Sequence, residues 1–316
     1  MSNLDKDWER IAKLLYRKGI ISLCSGALVA KRAITAPVGR IDSSLSYEHV
    51  YIDENIRFDY FKPKEPTSKH ALLLCPGSAY AYPPQRSHHA WAQYLCKKLG
   101  WPVFIVHHRL SPKYAFPVPY DDALDTINWI INQAQVYHFS PDKVVLVGES
   151  SGAATVAAVC HAFRDAQKKA VCHQVLIYPT LDADTIVDDP NYQDDFLVEK
   201  NNRSKMLEVY RRYYAPGNPS DPRAWPLNFS NYRDLPPATI LLASLDRFYH
   251  DGSQYFDRLQ AHDTPATLQS YDGVTHGFIS FIPNVKKAVL ANRWLVSHLK
   301  KTVLGTSEER AYSPET

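Results

Sequence analysis

Several things are missing from this chain of 316 residues, and each absence narrows the field. No apolar run reaches the roughly 18 residues that span a bilayer. No basic block stands out against a formal charge of +3, so nucleic acid is not implied. Glycine is scarce, with 12 Gly against 22 Pro, which predicts many fixed loops. The five cysteines are Cys24, Cys75, Cys96, Cys160 and Cys172, an odd number with no C-x-x-C. That pattern predicts free thiols in a reducing compartment, here the cytoplasm. There is no H-E-x-x-H and no Cys/His cluster, and the adjacent pairs His88-His89 and His107-His108 point their side chains apart. No metal is expected. Internal repeats and low-complexity blocks are absent too.

One uncharged run, Gly19 to Ala30, has the length of a signal-peptide core. Acidic residues lie upstream and the run is late, which favours a helix of the folded protein over secretion or surface attachment. Residues 1–48 read as helical and outside the main sheet, with Trp8, Ile11, Leu14 and Leu15 at helical spacing. Tyr47 to Phe61 reads as a hairpin turning at Asp53-Glu54-Asn55. From there strands and helices alternate. The predicted strands are Ala71–Leu74, Val103–His107, Val144–Val147, Val175–Tyr178, Thr239–Ala243 and Thr267–Tyr271. The predicted helices are His89–Leu99, Asp121–Gln135, Ser151–Arg164, Gly252–Ala261 and Val285–Lys300. Such alternation implies an α/β fold with a mostly parallel sheet covered by helices on both faces. The 45% hydrophobic content suits a sizeable core.

The chain is organised around Val144 to Gly152. Four apolar residues predict a buried strand. G-x-S-x-G follows, with Ser150 between Gly148 and Gly152, and an Ala-rich helix comes next. The bare pattern occurs by chance in roughly one chain of this length in ten, so its context carries the weight. A strand-to-helix turn this tight needs glycines on either side, and it exposes the serine hydroxyl above the sheet. A serine nucleophile also needs a base, and the base needs an orienting carboxylate. Asp246 follows one predicted strand and His276 follows the last, in the chain order Ser, acid, His. Taken alone, Asp246 would be a turn carboxylate and His276 a surface histidine. Asp251 is the fallback acid, in a position that also suits a helix cap.

Four blocks carry a resemblance to the hormone-sensitive-lipase-like family of α/β-hydrolases, across residues 48 to 303. Arg109-Leu110-Ser111-Pro112 with Phe116-Pro117 and Asp122 resembles that family's Y-R-L-A-P…F-P…D block. Gly148 to Gly152 resembles its G-D-S-A-G turn. Leu235 to Ala238 with Asp246 resembles its P-P…D-P-L block. Tyr271 to Phe278 resembles its Y-x-G-x-x-H-G-F block. The resemblance implies a serine esterase acting on small short- to medium-chain carboxylic esters without metal or organic cofactor. It implies Ser150, Asp246 and His276 as the triad, with Gly77, Ser78 and Ser151 donating backbone N–H groups to the oxyanion.

The resemblance also implies a helical cap from residues 1–48 and 182–216, set on a core of 49–181 and 217–303. Residues 304–316 are expected to form a polar tail. The chain departs from the family at Cys75-Pro76-Gly77-Ser78, where the family has H-G-G-G. It departs again at Glu149, and at Asp246-Arg247-Phe248. The cap aromatics Phe196, Tyr210, Tyr213 and Tyr214 suit either a substrate pocket or ordinary packing. Arg109 and Asp122 read as structural, with Asp122 a helix cap. An amidase or arylformamidase would use the same triad. A non-hydrolytic binding protein is the reading from another class. A monomer and a sheet-edge homodimer both remain open.

Overall fold

The structure is a computed structural model that describes residues 5–7, 9–10, 47–182, 220–282 and 284–304. The calls on most of 1–48, on 183–216 and on the tail therefore lie outside the described residues. Phe196, Tyr210, Tyr213 and Tyr214 lie outside them too.

Among the described residues, eight strands form one sheet. They are β1 (Tyr47–Tyr51), β2 (Arg57–Phe61), β3 (Ala71–Cys75), β4 (Val103–Val106), β5 (Val144–Glu149), β6 (Val171–Ile177), β7 (Ala238–Ala243) and β8 (Ala266–Tyr271). Their spatial order is β1-β2-β4-β3-β5-β6-β7-β8. The pairs β1–β2 and β2–β4 are antiparallel. Every pair from β4 to β8 is parallel. Among the described residues, five α-helices fill the connections: α1 (Arg86–Leu99), α2 (Val118–Asn132), α3 (Ser151–Asp165), α4 (Tyr249–Ala261) and α5 (Lys286–Leu299).

Side chains alternate along each strand, and the core divides accordingly. Leu73, Phe104, Leu146, Leu176, Ile240 and Leu242 pack beneath α2, α3 and α4. Leu72, Leu74, Val145, Val147, Val175 and Leu241 pack beneath α1 and α5. Strand β5 is buried at all six positions because helices cover both its faces.

Element bounds shift where side-chain chemistry overrides hydrophobic pattern. Strand β6 begins at Val171, four residues before the apolar run suggests, because Val171, His173 and Gln174 pair with Val144, Val145 and Leu146 of β5, the register shifting past Cys172. Helix α1 begins at Arg86, where the His88 ring nitrogen accepts the Gln85 backbone N–H at 2.8 Å. Helix α2 begins at Val118 with Pro119 in its first turn, where a missing N–H costs nothing. That start corrects the reading of Asp122 as a cap. Asp122 is buried inside α2 and grips the Arg109 guanidinium, with contacts of 2.7 and 2.9 Å. It also accepts the Arg109 backbone N–H at 2.8 Å. The hairpin turn is fixed as expected, with Asp53 Oδ1 accepting the N–H groups of Asn55 and Ile56.

Candidate active site

Ser150 joins β5 to α3 with φ 56° and ψ −123°, a conformation L side chains rarely adopt. Holding it costs about 1–3 kcal/mol, and the surrounding packing enforces it. A Cβ on Gly148 would lie 2.4 Å from the Ala153 Cα, and one on Gly152 would lie 2.0 Å from the Cys75 carbonyl oxygen. No other residue fits either place. The Ser150 N–H donates to the Ile177 carbonyl at 2.9 Å, which locks the turn to β6.

Three side chains from three loops meet at this turn. His276 Nε2 lies 2.7 Å from Ser150 Oγ. His276 Nδ1 lies 2.7 Å from Asp246 Oδ2. Asp246 Oδ1 accepts the Phe248 backbone N–H at 3.0 Å. A carboxylate oxygen accepts, so Nδ1 donates and Nε2 is left to accept the serine proton. The Asp246 side chain is fully buried, while that of His276 is 29% exposed. Rings of Tyr178 and Phe248 flank the imidazole at 4.7 and 5.1 Å. Burial pulls the His276 pKa down, but the charge and hydrogen bond of Asp246, then the charge of Glu149, outweigh it. The net shift is upward from 6.5.

Asp251, the fallback acid, is buried elsewhere. It sits within α4 and its Oδ2 accepts the N–H groups of Leu181 and Asp182 at 2.7 and 3.1 Å. It anchors the chain where the long excursion departs.

The loop after β3 lies against the first turn of α3. The N–H groups of Gly77 and Ser151 have no hydrogen-bond partner among the described residues. The Ser78 N–H differs from the expectation: it donates to the Ser151 side-chain oxygen at 3.0 Å. Side chains brace this loop where glycines would leave it free. His108 Nδ1 donates to the Arg109 carbonyl, so its Nε2 accepts the Ser78 hydroxyl at 3.3 Å. Ser78 Oγ in turn accepts the Tyr80 N–H at 3.1 Å. The Tyr80 hydroxyl donates to the Ser151 carbonyl at 2.9 Å. The positive φ values fall on Ala79 and Tyr80, and the Ser78 backbone stays unstrained.

Sequence reasoning missed two features. Glu149 is buried beneath Gly77, with His88 Nε2 3.4 Å away and the buried Tyr178 phenol beside it. Asp59, on β2, accepts from three imidazoles, at 2.8 Å from His89, 2.8 Å from His107 and 2.5 Å from His49. The two histidine pairs do diverge. His88 and His108 face the site, whereas His89 and His107 converge on Asp59.

A strained serine turn on a mostly parallel sheet, with serine, acid and histidine in that chain order, defines the α/β-hydrolase class. A family model described as alpha/beta hydrolase fold matches residues 72–280, and the chain belongs to that family, in its hormone-sensitive-lipase-like branch. Ethyl acetate hydrolase of Pseudomonas putida is 30% identical over 213 residues, covering 66% of each chain. Carboxylesterase NlhH of Mycobacterium tuberculosis is 26% identical over 206 residues, covering 64% of each. The chain thus spans just under two thirds of the length of these relatives. Among solved structures, an ester-hydrolase from the metagenome of Lake Arreo superposes with a TM-score of 0.81 at 23% identity, covering 94% of this chain and 98% of that one. A hyperthermophilic esterase from the archaeon Pyrobaculum calidifontis gives 0.76 at 21%, covering 96% and 99%. These two share the fold.

Proposed function

We propose that this protein is a serine hydrolase of small carboxylic esters, working through an acyl-enzyme on Ser150. One observation carries the reading: an unbroken hydrogen-bond line from Ser150 through His276 to Asp246, 2.7 Å at each step. Ser150 Oγ attacks the ester carbonyl while His276 Nε2 takes its proton. The N–H groups of Gly77 and Ser151 hold the oxyanion. The C–O bond to the alcohol breaks, and His276 returns the proton to the leaving oxygen. Water then repeats the cycle, with His276 as base, and frees the acid and Ser150. Asp246 keeps the imidazole in the required tautomer and stabilises its charged form. The likeness to a protein named ethyl acetate hydrolase supports short acyl and alcohol groups.

Residues 1–48 and 182–216 are the proposed cap. Asp5 supports this for the first segment, because its N–H donates to the Gly273 carbonyl, three residues before His276. Cys75, Cys96, Cys160 and Cys172 are free thiols, which supports a reducing, cytoplasmic setting. No helix among the described residues is long and apolar enough to cross a membrane. A homodimer joined at a sheet edge is proposed from the family resemblance alone.

The test is hydrolysis of p-nitrophenyl esters from acetate to laurate by the wild type and by Ser150→Ala. The proposal predicts turnover strongest on short chains and at least about a thousandfold loss in the variant. Equal turnover by both proteins would remove Ser150 from the mechanism.

A further inference from the structure

We propose that the Ser151 hydroxyl is itself a donor to the oxyanion, taking the place of the Ser78 N–H. This inference deepens the ester-hydrolase reading and rests on it. A hydroxyl has one donor and room for two acceptances. Ser151 Oγ accepts the Ser78 N–H at 3.0 Å, in surroundings where Ser151 is fully buried and Ser78 nearly so. Its own proton has no acceptor among the described residues. In a helix interior a serine commonly donates to the carbonyl four residues back. Ser151 is the first residue of α3, so that position, Val147, lies in β5. The Ser151 carbonyl is taken as well, by Tyr80 at 2.9 Å and Thr155 at 3.3 Å.

A buried hydroxyl proton with no protein acceptor calls for one from a ligand. The acceptor chemistry is set by the neighbours. Gly77 lies against Ser150, where a Cβ on it would come 3.0 Å from the Ser150 Cβ, and Ser151 is the next residue in the chain, so two unpartnered N–H groups flank the nucleophile. An anionic oxygen there would meet three donors, two of them on one residue. Accepting from Ser78 also polarises the Ser151 O–H and makes it a better donor. While the Ser78 N–H donates to Ser151 Oγ it is not free for the oxyanion. Ser78 and Ser151 thus form one coupled pair: the backbone donor is engaged and the side-chain donor replaces it.

Ser151→Ala tests this. Alanine keeps the backbone N–H and the helix start and removes only the hydroxyl. The expected result is a fall of about 10²-fold in kcat on p-nitrophenyl butyrate with KM within about threefold. Affinity for a trifluoromethyl ketone, whose adduct on Ser150 carries an oxyanion, should fall by a similar factor. If Ser151 Oγ were only a prop or a plug, its loss would release the Ser78 N–H to the oxyanion. Then kcat and ketone affinity would hold or rise, and the inference would be overturned. A wild type active on esters beside an unaffected Ser151→Ala sinks this inference alone. An inactive wild type sinks the esterase reading beneath it.

Discussion

At the scale of single residues, the proposed mechanism makes His276 the group that sets the pH dependence. Burial opposes its charge, and Asp246 with Glu149 more than compensates, so its pKa stands above 6.5. Only neutral His276 can take the Ser150 proton. The acid limb of kcat/KM should therefore fall as pH drops through a value above 6.5, and a limb at or below 6.5 would contradict the assignment. Glu149→Gln removes one of the charges that raise this pKa, so the limb should move to lower pH while the alkaline plateau persists. Asp246→Asn has a different signature. It leaves the shape of the site but favours the wrong tautomer, so kcat should fall about 10⁴-fold while KM changes little.

At the scale of elements, the strand–turn–helix unit is held by contacts between backbones. The Gly152 Cα faces the Cys75 carbonyl so closely that a methyl group would lie 2.0 Å from the oxygen. Gly152→Ala must push β3 away from α3, and should cost about 1–3 kcal/mol in urea denaturation along with most activity. An unchanged unfolding midpoint would contradict the packing. This unit was legible in sequence because glycine spacing, apolar strand and Ala-rich helix all agree on one geometry. Ser150, Asp246 and His276 were legible for a related reason: each follows a strand in the order the chemistry requires. The brace around Ser78 was not. It depends on His108 and Tyr80 bonding across loops, and hydrophobic periodicity carries no trace of side-chain hydrogen bonds. The same blindness placed Asp122 at a helix end instead of against Arg109.

At the scale of the whole molecule, Asp59 ties the antiparallel edge to the parallel core. Its carboxylate, fully buried, links β1 through His49, α1 through His89 and the end of β4 through His107. Burial would raise the Asp59 pKa, but hydrogen bonds from the three imidazoles hold it far below the usual carboxylate range. Its share of stability is present above the unfolded value near 3.9 and is lost as pH falls through the folded value. The signs reverse for His89. Burial lowers its pKa, but Asp59 and the Gln85 carbonyl raise it further. That share is full below about 6.5 and is lost as pH rises through the folded value. The pair should thus support the fold most between about pH 4 and 6.5. Asp59→Asn leaves buried imidazoles without their anion, and should cost about 3–5 kcal/mol at pH 6. A loss under about 1 kcal/mol in chemical denaturation would contradict the clamp. No sequence pattern announces this cluster, because its members lie on four elements, β1, β2, α1 and the end of β4, brought together only by the fold.

The central claim is that Ser150 is a nucleophile. The most direct measurement is peptide mapping by mass spectrometry after exposure to a fluorophosphonate, with ester hydrolysis followed in the same sample. Stoichiometric phosphonylation of Ser150, advancing in step with loss of hydrolysis and absent in His276→Ala, is the predicted result. Full loss of activity with Ser150 unmodified, or full modification with activity intact, would contradict the account.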